Sequence, residues 1–323
     1  MANINKYRLL TRGDLDGLIC GVLMKHLDMV DEIKLIDQPS DMQMGKVVVS
    51  DRDISTNLPY VEGVRLAIDH HFSEAMRNRK NDRHIIDPDA PSAARVVYNY
   101  YGGKSRFPDR FDEMMKWVDI ADSGQFSQED ILRPRRWALL NFLVDQRTNI
   151  EKWGDFRIPE TQFKLDLIDY CAKMTIDEIL GLPDVRQRSD VYFAWEEAYR
   201  KQVQTAATVH KNIIVLDLRQ AEIRYPGNRF LIYALYPQCN ISILLRFDKE
   251  SGQTTFSVGK SIINRSSTAN VGEIMLSCGG GGHRAAGACH QDDPAAAERV
   301  FQKLLTALSE TGGDHPAEVD NSK

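Results

Sequence analysis

The sequence predicts an α/β protein with two domains. An N-terminal, mostly parallel sheet flanked by helices is followed by a smaller C-terminal α/β domain with a mixed sheet, and a helical linker joins the two. Three observations predict this. Apolar, β-branched segments alternate with helical patterns over the first hundred residues, as in a parallel sheet with helices on its faces. A long polar helical stretch follows. Beyond it, short strands recur at close spacing, as in an antiparallel or mixed sheet. The expected boundaries are 1–150, a linker at 151–210, a second domain at 211–310 and a disordered tail at 311–323.

Each element has its own warrant. Residues 6–11 read as a buried strand. Residues 17–28 read as a helix with Leu18, Val22 and the Ile19/Leu23/Leu27 series inward. The runs KVVVS (46–50) and VRLAI (64–68) read as short strands that end at acidic residues. PSAARVVYNYYGG reads as a helix with Pro91 in its first turn and Gly102 past its end. WVDIADSGQF is a further apolar segment running into a polar turn, read as a fourth strand. DVYFAWEEAYRKQVQTAATVH holds helical spacing without a breaker and suits a long connecting helix. NIIVLDL, RFLIYALYP, ISILLRFD and TTFSVGKS read as strands, followed by a helix near 271–278, a glycine run and a last helix at 294–308.

Bulk properties narrow the function classes. The 323 residues are 42% apolar and 27% charged, ordinary for globular domains, and the net charge of −5 argues against a broad basic face for duplex DNA. The five cysteines form no CxxC pair, so buried free thiols in a reducing cytosol are expected. No signal-peptide pattern opens the sequence, and no apolar run approaches the roughly 18 residues of a membrane span. The expectation is a cytoplasmic protein without membrane contact.

The acidic residues carry the chemistry. Asp14 and Asp16 follow the first strand, Asp51 and Asp53 follow KVVVS, Asp69-His70-His71 follows VRLAI, and Asp119 and Asp122 lie in WVDIADSGQF. In an open parallel sheet, functional groups collect beyond the carboxyl ends of strands. Converging carboxylates repel unless a cation intervenes. Oxygen ligands suit Mg²⁺ or Mn²⁺, and added imidazole favours Mn²⁺. Two ions about 3.5–4 Å apart could clamp a phosphoryl group for in-line attack. Taken alone, D-L-D-G is also an ordinary helix N-cap or turn, and a lone His is also an ordinary surface or core residue. At the other end of the chain, CGGGGHRAAGACH places Gly279–Gly282 before His283 and Arg284, a run that lets backbone N–H groups approach an anion closely. Lys260 and Arg265 lie just upstream as cationic contacts.

Together, DLDG, AIDHH, ADSGQF and GGGGHRAAG, in that order, resemble the DHH phosphoesterase superfamily with its DHH-associated C-terminal domain. The likeness extends over about residues 5–308 and is nearest to the exopolyphosphatase-like or short-oligonucleotide phosphodiesterase branch. It implies a metal-binding catalytic domain, a substrate-binding domain and an active site in the cleft between them. It implies Asp14, Asp16, Asp53, His70 and Asp122 as metal ligands, with Asp53 the bridging carboxylate and Asp51 the alternative. Asp69 would orient the site, and His71 would contact the phosphate. Gly280, Gly281, Gly282, His283 and Arg284 would hold the nucleotide or terminal phosphate, with Lys260 and Arg265 nearby. One departure stands out. Where relatives carry a ligand before the first Asp, this chain has Leu10 and Arg12, so the first metal is short of a ligand or Arg12 stands in for its charge.

Three readings follow. The first is an Mn²⁺- or Mg²⁺-dependent phosphoesterase, with one or two ions, that cleaves short oligonucleotides or dinucleotides by metal-activated water. The second is a phosphoanhydride hydrolase acting on polyphosphate or pyrophosphate, with RPRR (133–136) and RNRK (77–80) lining a basic channel. The third is a non-catalytic nucleotide-binding protein with a degraded first metal site. Whether the chain forms a homodimer is open at this stage.

Overall fold

The computed structural model describes residues 6–77 and 82–309. The expected tail at 311–323 and most of the RNRK run lie outside them. The chain divides into two compact units, one running to Trp195 and including Pro226–Asn228, the other comprising Glu196–Tyr225 and the chain from Arg229 on.

The first unit is built on a five-stranded, fully parallel sheet: β1 (Tyr7–Thr11), β2 (Val30–Leu35), β3 (Asp53–Thr56), β4 (Leu66–Asp69) and β5 (His84–Ile86), in the order β2-β1-β3-β4-β5. Its helices are α1 (Leu15–His26), α2 (Ser40–Gln43), α3 (Phe72–Arg77), α4 (Ala93–Tyr100), α5 (Asp112–Asp122), α6 (Gln128–Leu132), α7 (Arg136–Val144), α8 (Glu160–Lys173) and α9 (Ile176–Gly181). The unit boundary falls inside the next helix, α10 (Pro183–Ala206). Strand alternation sends Leu9 and Leu10 to opposite faces. Leu10 packs with Ile36, Met42 and Leu58. On α1 every residue from Leu15 to Met24 is buried, because α4, α5 and α8 surround it. Each fully buried Leu or Ile there contributes about 1.5–3 kcal/mol.

The strand order reverses beside β1. The chain steps from β1 to β2 on one side and then returns to β3 on the other, so a topological switch point opens at the carboxyl ends of β1 and β3.

The second unit carries a six-stranded mixed sheet, β10-β11-β9-β8-β7-β6. Its elements are β6 (Ala207–His210), β7 (Ile213–Asp217), α11 (Leu231–Leu235), β8 (Ile241–Phe247), β9 (Thr254–Lys260), α12 (Val271–Leu276), β10 (Gly281–His283), β11 (Ala286–Gln291) and α13 (Pro294–Ser309). Only β7 and β8 pair in parallel. Ile213, Val215, Ile241, Ile243, Leu245, Phe256 and Val258 form one apolar face, covered by Met275 of α12 and by Leu304 and Leu308 of α13.

Several expected strands are corrected. KVVVS is not in the ladder: Val47 and Val49 pack inward while Val48 is 82% exposed, and the strand begins only at Asp53. WVDIADSGQF belongs mostly to α5, with Met114, Met115 and Val118 buried at helical spacing. RFLIYALYP forms α11, a short buried helix, since a continuous apolar run reads alike as strand or helix. Pro91 precedes the Ser92 N-cap of α4 instead of entering its first turn. The half-exposed β2 and three-residue β5 have too little periodicity to be expected from sequence. All five cysteines are free and buried. Among the described residues, no helix is long and apolar enough to cross a membrane.

Candidate active site

The D-x-D-G turn is built by the junction of β1 and α1. Asp14 is the N-cap of α1, and its Oδ1 accepts from the Gly17 N–H at 3.1 Å. Gly17 is required by close packing, because a Cβ there would lie 2.1 Å from the Arg12 carbonyl oxygen. Asp14 therefore does cap a helix, but its carboxylate also faces other groups. Its Oδ1 accepts from Asn57 Nδ2 at 3.0 Å, and its Oδ2 lies 3.1 Å from Arg12 Nε.

Asp16 sits one residue on, inside α1 and only 2% exposed. Its two oxygens accept from Ala93 N at 3.0 Å and Ala94 N at 2.8 Å, the first turn of α4. Burial first, then the neighbouring charges of Asp122 and Asp14, push its pKa up to about 8 against the opposing pull of His70. Asp119 serves this arrangement from behind. It accepts from Ser92 Oγ at 2.8 Å and from Arg95 Nε at 2.9 Å, tying the start of α4 to α5.

His70 and His71 follow β4. His70 Nδ1 lies 3.1 Å from the Ala90 carbonyl, which can only accept, so Nδ1 carries a hydrogen and Nε2 is the variable atom. That Nε2 lies 3.0 Å from Asp122 Oδ2, yet it is buried without a well-aligned hydrogen bond. Burial works against protonation of His70, but Asp122 contact and the charges of Asp122 and Asp16 outweigh it and raise the pKa to about 9. One ligand atom each from Asp16, His70 and Asp122 lies within 4.8 Å of the others. Oxygen and imidazole donors at that spacing fit a hard or borderline divalent cation, and such an ion would take the place of the proton that His70 Nε2 directs at Asp122.

Asp69 ends β4. Its Oδ1 lies 2.8 Å from His71 Nδ1, and its Oδ2 is buried with no partner among the described residues. Burial opposes His71 protonation; the Asp69 hydrogen bond overcomes it and raises the pKa. The His71 side chain keeps 36% exposure, so its other ring edge can meet a ligand.

Asp51 and Asp53 do not join this group, which corrects the expected bridging carboxylate. Asp53 opens β3 instead of following a strand and pairs in register with Arg8 of β1, so it lies at the amino edge of the sheet. Its carboxylate accepts from Arg8 Nε at 2.6 Å, Ser50 N at 2.6 Å and Ser50 Oγ at 3.0 Å. Asp51 is 70% exposed, with Arg65 and Arg83 each 3.9 Å away. The residue that does follow β3 is Asn57, which sequence reasoning missed because an amide in N-L-P reads as a turn. Arg147 was missed too. Burial opposes its charge, but Asp145, then Asp14 and Asp122, raise its pKa, which locates it near the acidic group. Arg12, Asp14, Asp37, Gln38 and Arg147 line a cavity of about 210 Å³. The available signal was DQR directly after the apolar LLNFLV run, where α7 ends.

In the second unit, the Lys260 N–H donates to the Ala285 carbonyl at 2.8 Å, and Lys260 Nζ donates to the Ser267 carbonyl at 3.2 Å. Burial, then the nearby charge of Arg284, lowers the Lys260 pKa. Gly281, Gly282 and His283 form β10, paired with β11. The Gly280 position tolerates no side chain, since a Cβ there would lie 2.1 Å from the Ala288 carbonyl oxygen. His283 and Arg284 are exposed. Arg265 stands in the loop after β9, and its Nε donates to the Ile262 carbonyl at 3.1 Å.

A parallel sheet with acidic and imidazole groups at its carboxyl edge, followed in the chain by a mixed-sheet unit with a glycine hairpin, is the architecture of a phosphoesterase, and the chain belongs to the DHH phosphoesterase superfamily. A solved structure described as the pGpG-specific phosphodiesterase PggH, from Vibrio cholerae, is 47% identical, covers 95% of this chain and 100% of its own, and superposes with a TM-score of 0.83. CDC45 from Entamoeba histolytica, 8% identical, aligns over 93% of this chain and 95% of its own with a TM-score of 0.44. An uncharacterized protein from Helicobacter pylori G27, 10% identical, aligns over 93% of this chain and 99% of its own with a TM-score of 0.28. No family model matches the chain. No curated protein matches it.

Proposed function

We propose that the chain is a divalent-metal-dependent phosphodiesterase that cleaves short linear dinucleotides, with pGpG, the compound that describes its 47%-identical relative, as the first substrate. The observation that supports this is the convergence of Asp16, His70 and Asp122 at the carboxyl edge of the sheet, each with a ligand atom within 4.8 Å of the others. Mn²⁺ suits the mixed oxygen and nitrogen donors better than Mg²⁺ does. When bound, the ion supplies Lewis acidity and activates a water toward phosphorus.

The remaining work falls to the chain's own groups. Asp69 fixes the His71 ring through Nδ1, and against the opposing effect of burial its hydrogen bond raises the ring's pKa and favours the protonated form. His71 would then donate to a phosphate oxygen as negative charge builds in the transition state. Arg12, held beside Asp14, adds a fixed positive charge. In the second unit, Lys260, His283 and Arg284 offer cationic groups of the kind that bind phosphate. The start of α4 holds Asp16 in place through two backbone N–H groups.

Two of the arginines expected to line a polyphosphate channel have acidic neighbours in their own unit. Arg136 pairs with Glu113 and Asp177, and Arg133 lies 3.5 Å from Glu129. The deciding experiment is chromatographic detection of guanosine monophosphate from pGpG with added Mn²⁺. Release by the native chain and none by Asp16→Ala or His70→Ala supports the reading. Equal product from native and variant chains, or none from either, overturns it.

A further inference from the structure

Asn57 is the residue at the switch point that no motif marks. It directly follows β3 and is 1% exposed. Its backbone is left-handed, with φ of 55°, and its N–H donates to the Ile68 carbonyl at 3.2 Å, beside the end of β4 that carries His70. Its amide cannot be turned round without loss. A carboxylate only accepts, so the Nδ2 that donates to Asp14 at 3.0 Å must stay on that side. Oδ1 therefore points away from Asp14, and it is buried with no partner among the described residues. A buried carbonyl oxygen without a donor is costly, and a cation is one of the few things that satisfies it.

Asp14 presents the opposite picture. Its Oδ1 accepts from Gly17 N and Asn57 Nδ2, and its Oδ2 faces Arg12 Nε at 3.1 Å. Its charge is already matched by a guanidinium. Asp16 and Asp122 hold two further negative charges, and His70 when neutral and Asn57 hold none. One divalent ion balances that set. A second, beside an Asp14 already paired with Arg12, would leave excess positive charge.

We propose that the centre takes a single divalent cation, with Asn57 Oδ1 as a neutral fourth ligand beside Asp16, His70 and Asp122, and with Asp14 outside the coordination shell. This rests on the metal-dependent reading above. Arg12 and Asn57 together make the difference: one neutralises Asp14, and the other completes the shell of the single ion.

The test is Mn²⁺ titration of the full chain, read by calorimetry and by the electron paramagnetic resonance of the free ion. The native chain is expected to take up one ion. Asn57→Gly, which keeps the left-handed backbone, should weaken uptake about tenfold or more. Asn57→Asp, which adds a charged oxygen at the same place, should tighten it. Asp14→Asn, which still caps α1, should bind one ion within about threefold of native. Circular dichroism of the metal-free variants confirms that each is folded, and the Asn57→Asp arm decides the matter should Asn57→Gly not fold. Two ions per native chain, unchanged affinity in both Asn57 variants, or loss of uptake in Asp14→Asn would overturn the proposal. The two readings fail separately. One ion without pGpG hydrolysis sinks the substrate reading and leaves this one standing, whereas two ions with hydrolysis does the reverse.

Discussion

Strand β3 begins at Asp53 and is followed by Asn57, and these two polar residues differ in every respect that bears on function. At the amino edge, Asp53 is enclosed by donors: Arg8 Nε, Ser50 N and Ser50 Oγ all reach it. Burial alone would raise its pKa, but those bonds hold it below the ordinary carboxylate range. At the carboxyl edge, Asn57 Oδ1 and Asp69 Oδ2 are buried without a hydrogen-bond partner among the described residues, His70 Nε2 meets the Asp122 carboxylate at 3.0 Å, and Asp16 is pushed up to about 8. A buried polar group whose bonding capacity is filled stabilises a fold. One left unfilled costs stability, and such groups gather where a ligand completes them. The same parallel sheet thus has a structural end and a chemical end, and the sign of the carboxylate pKa shift tells them apart.

That contrast can be broken most severely at the chemical end. Asp16→Ala removes the carboxylate at the centre of the group, and steady-state assays with pGpG and Mn²⁺ should find no measurable hydrolysis, while circular dichroism shows a folded chain. Next in size is His71→Ala. Loss of a positioned proton donor should lower kcat by about 10²- to 10⁴-fold, with Mn²⁺ uptake unchanged, because His71 is not among the grouped ligand atoms. A His71→Ala chain that lost Mn²⁺ uptake would place this ring in the metal shell instead. At the structural end the outcome inverts. Asp53→Ala strands the Arg8 guanidinium, whose side chain is 25% exposed, and should cost roughly 2–3 kcal/mol in urea unfolding, somewhat less than a fully buried pair. The rate per folded molecule should not change.

These two ends were unequally legible in the sequence. Asp16, His70 and Asp122 could be expected to converge, because each follows or lies near a segment that topology sends to one edge. Asp53 was placed at the wrong end, because Val47, Val48 and Val49 look like a strand. Only their alternation onto Leu10, Ile36 and Met42 is strand-like; the ladder itself starts at Asp53. A slip of one segment therefore moved a carboxylate from the amino edge to the carboxyl edge. Asn57 gave no signal, since its importance lies in an unpaired carbonyl oxygen, which is a property of packing. Arg147 is similar: its relation to Asp14 and Asp122 is one of space, with more than twenty residues of chain between Asp122 and it. In the second unit the strand ladder was readable from β-branched runs, while RFLIYALYP had no periodicity to separate strand from helix.

The smallest expected effect sharpens the comparison furthest, since it tests the charge of Asp53 apart from its shape. Asp53→Asn retains the volume and one acceptor but not the ionic contact to Arg8. The folded carboxyl has a pKa below the ordinary 3.8, so the folded state holds fewer protons than the unfolded state around that value. By linkage, the stabilisation is fully present above about pH 4 and is lost as the pH falls through the folded pKa. The difference in urea midpoint between the native chain and Asp53→Asn should therefore be constant from pH 7 down to about pH 5, then narrow toward pH 3. A difference that stayed the same down to pH 3 would mean that hydrogen-bond geometry, and not the charge, holds the amino edge together. The distinction drawn between the two ends of the sheet would then have to be restated in terms of donor count alone.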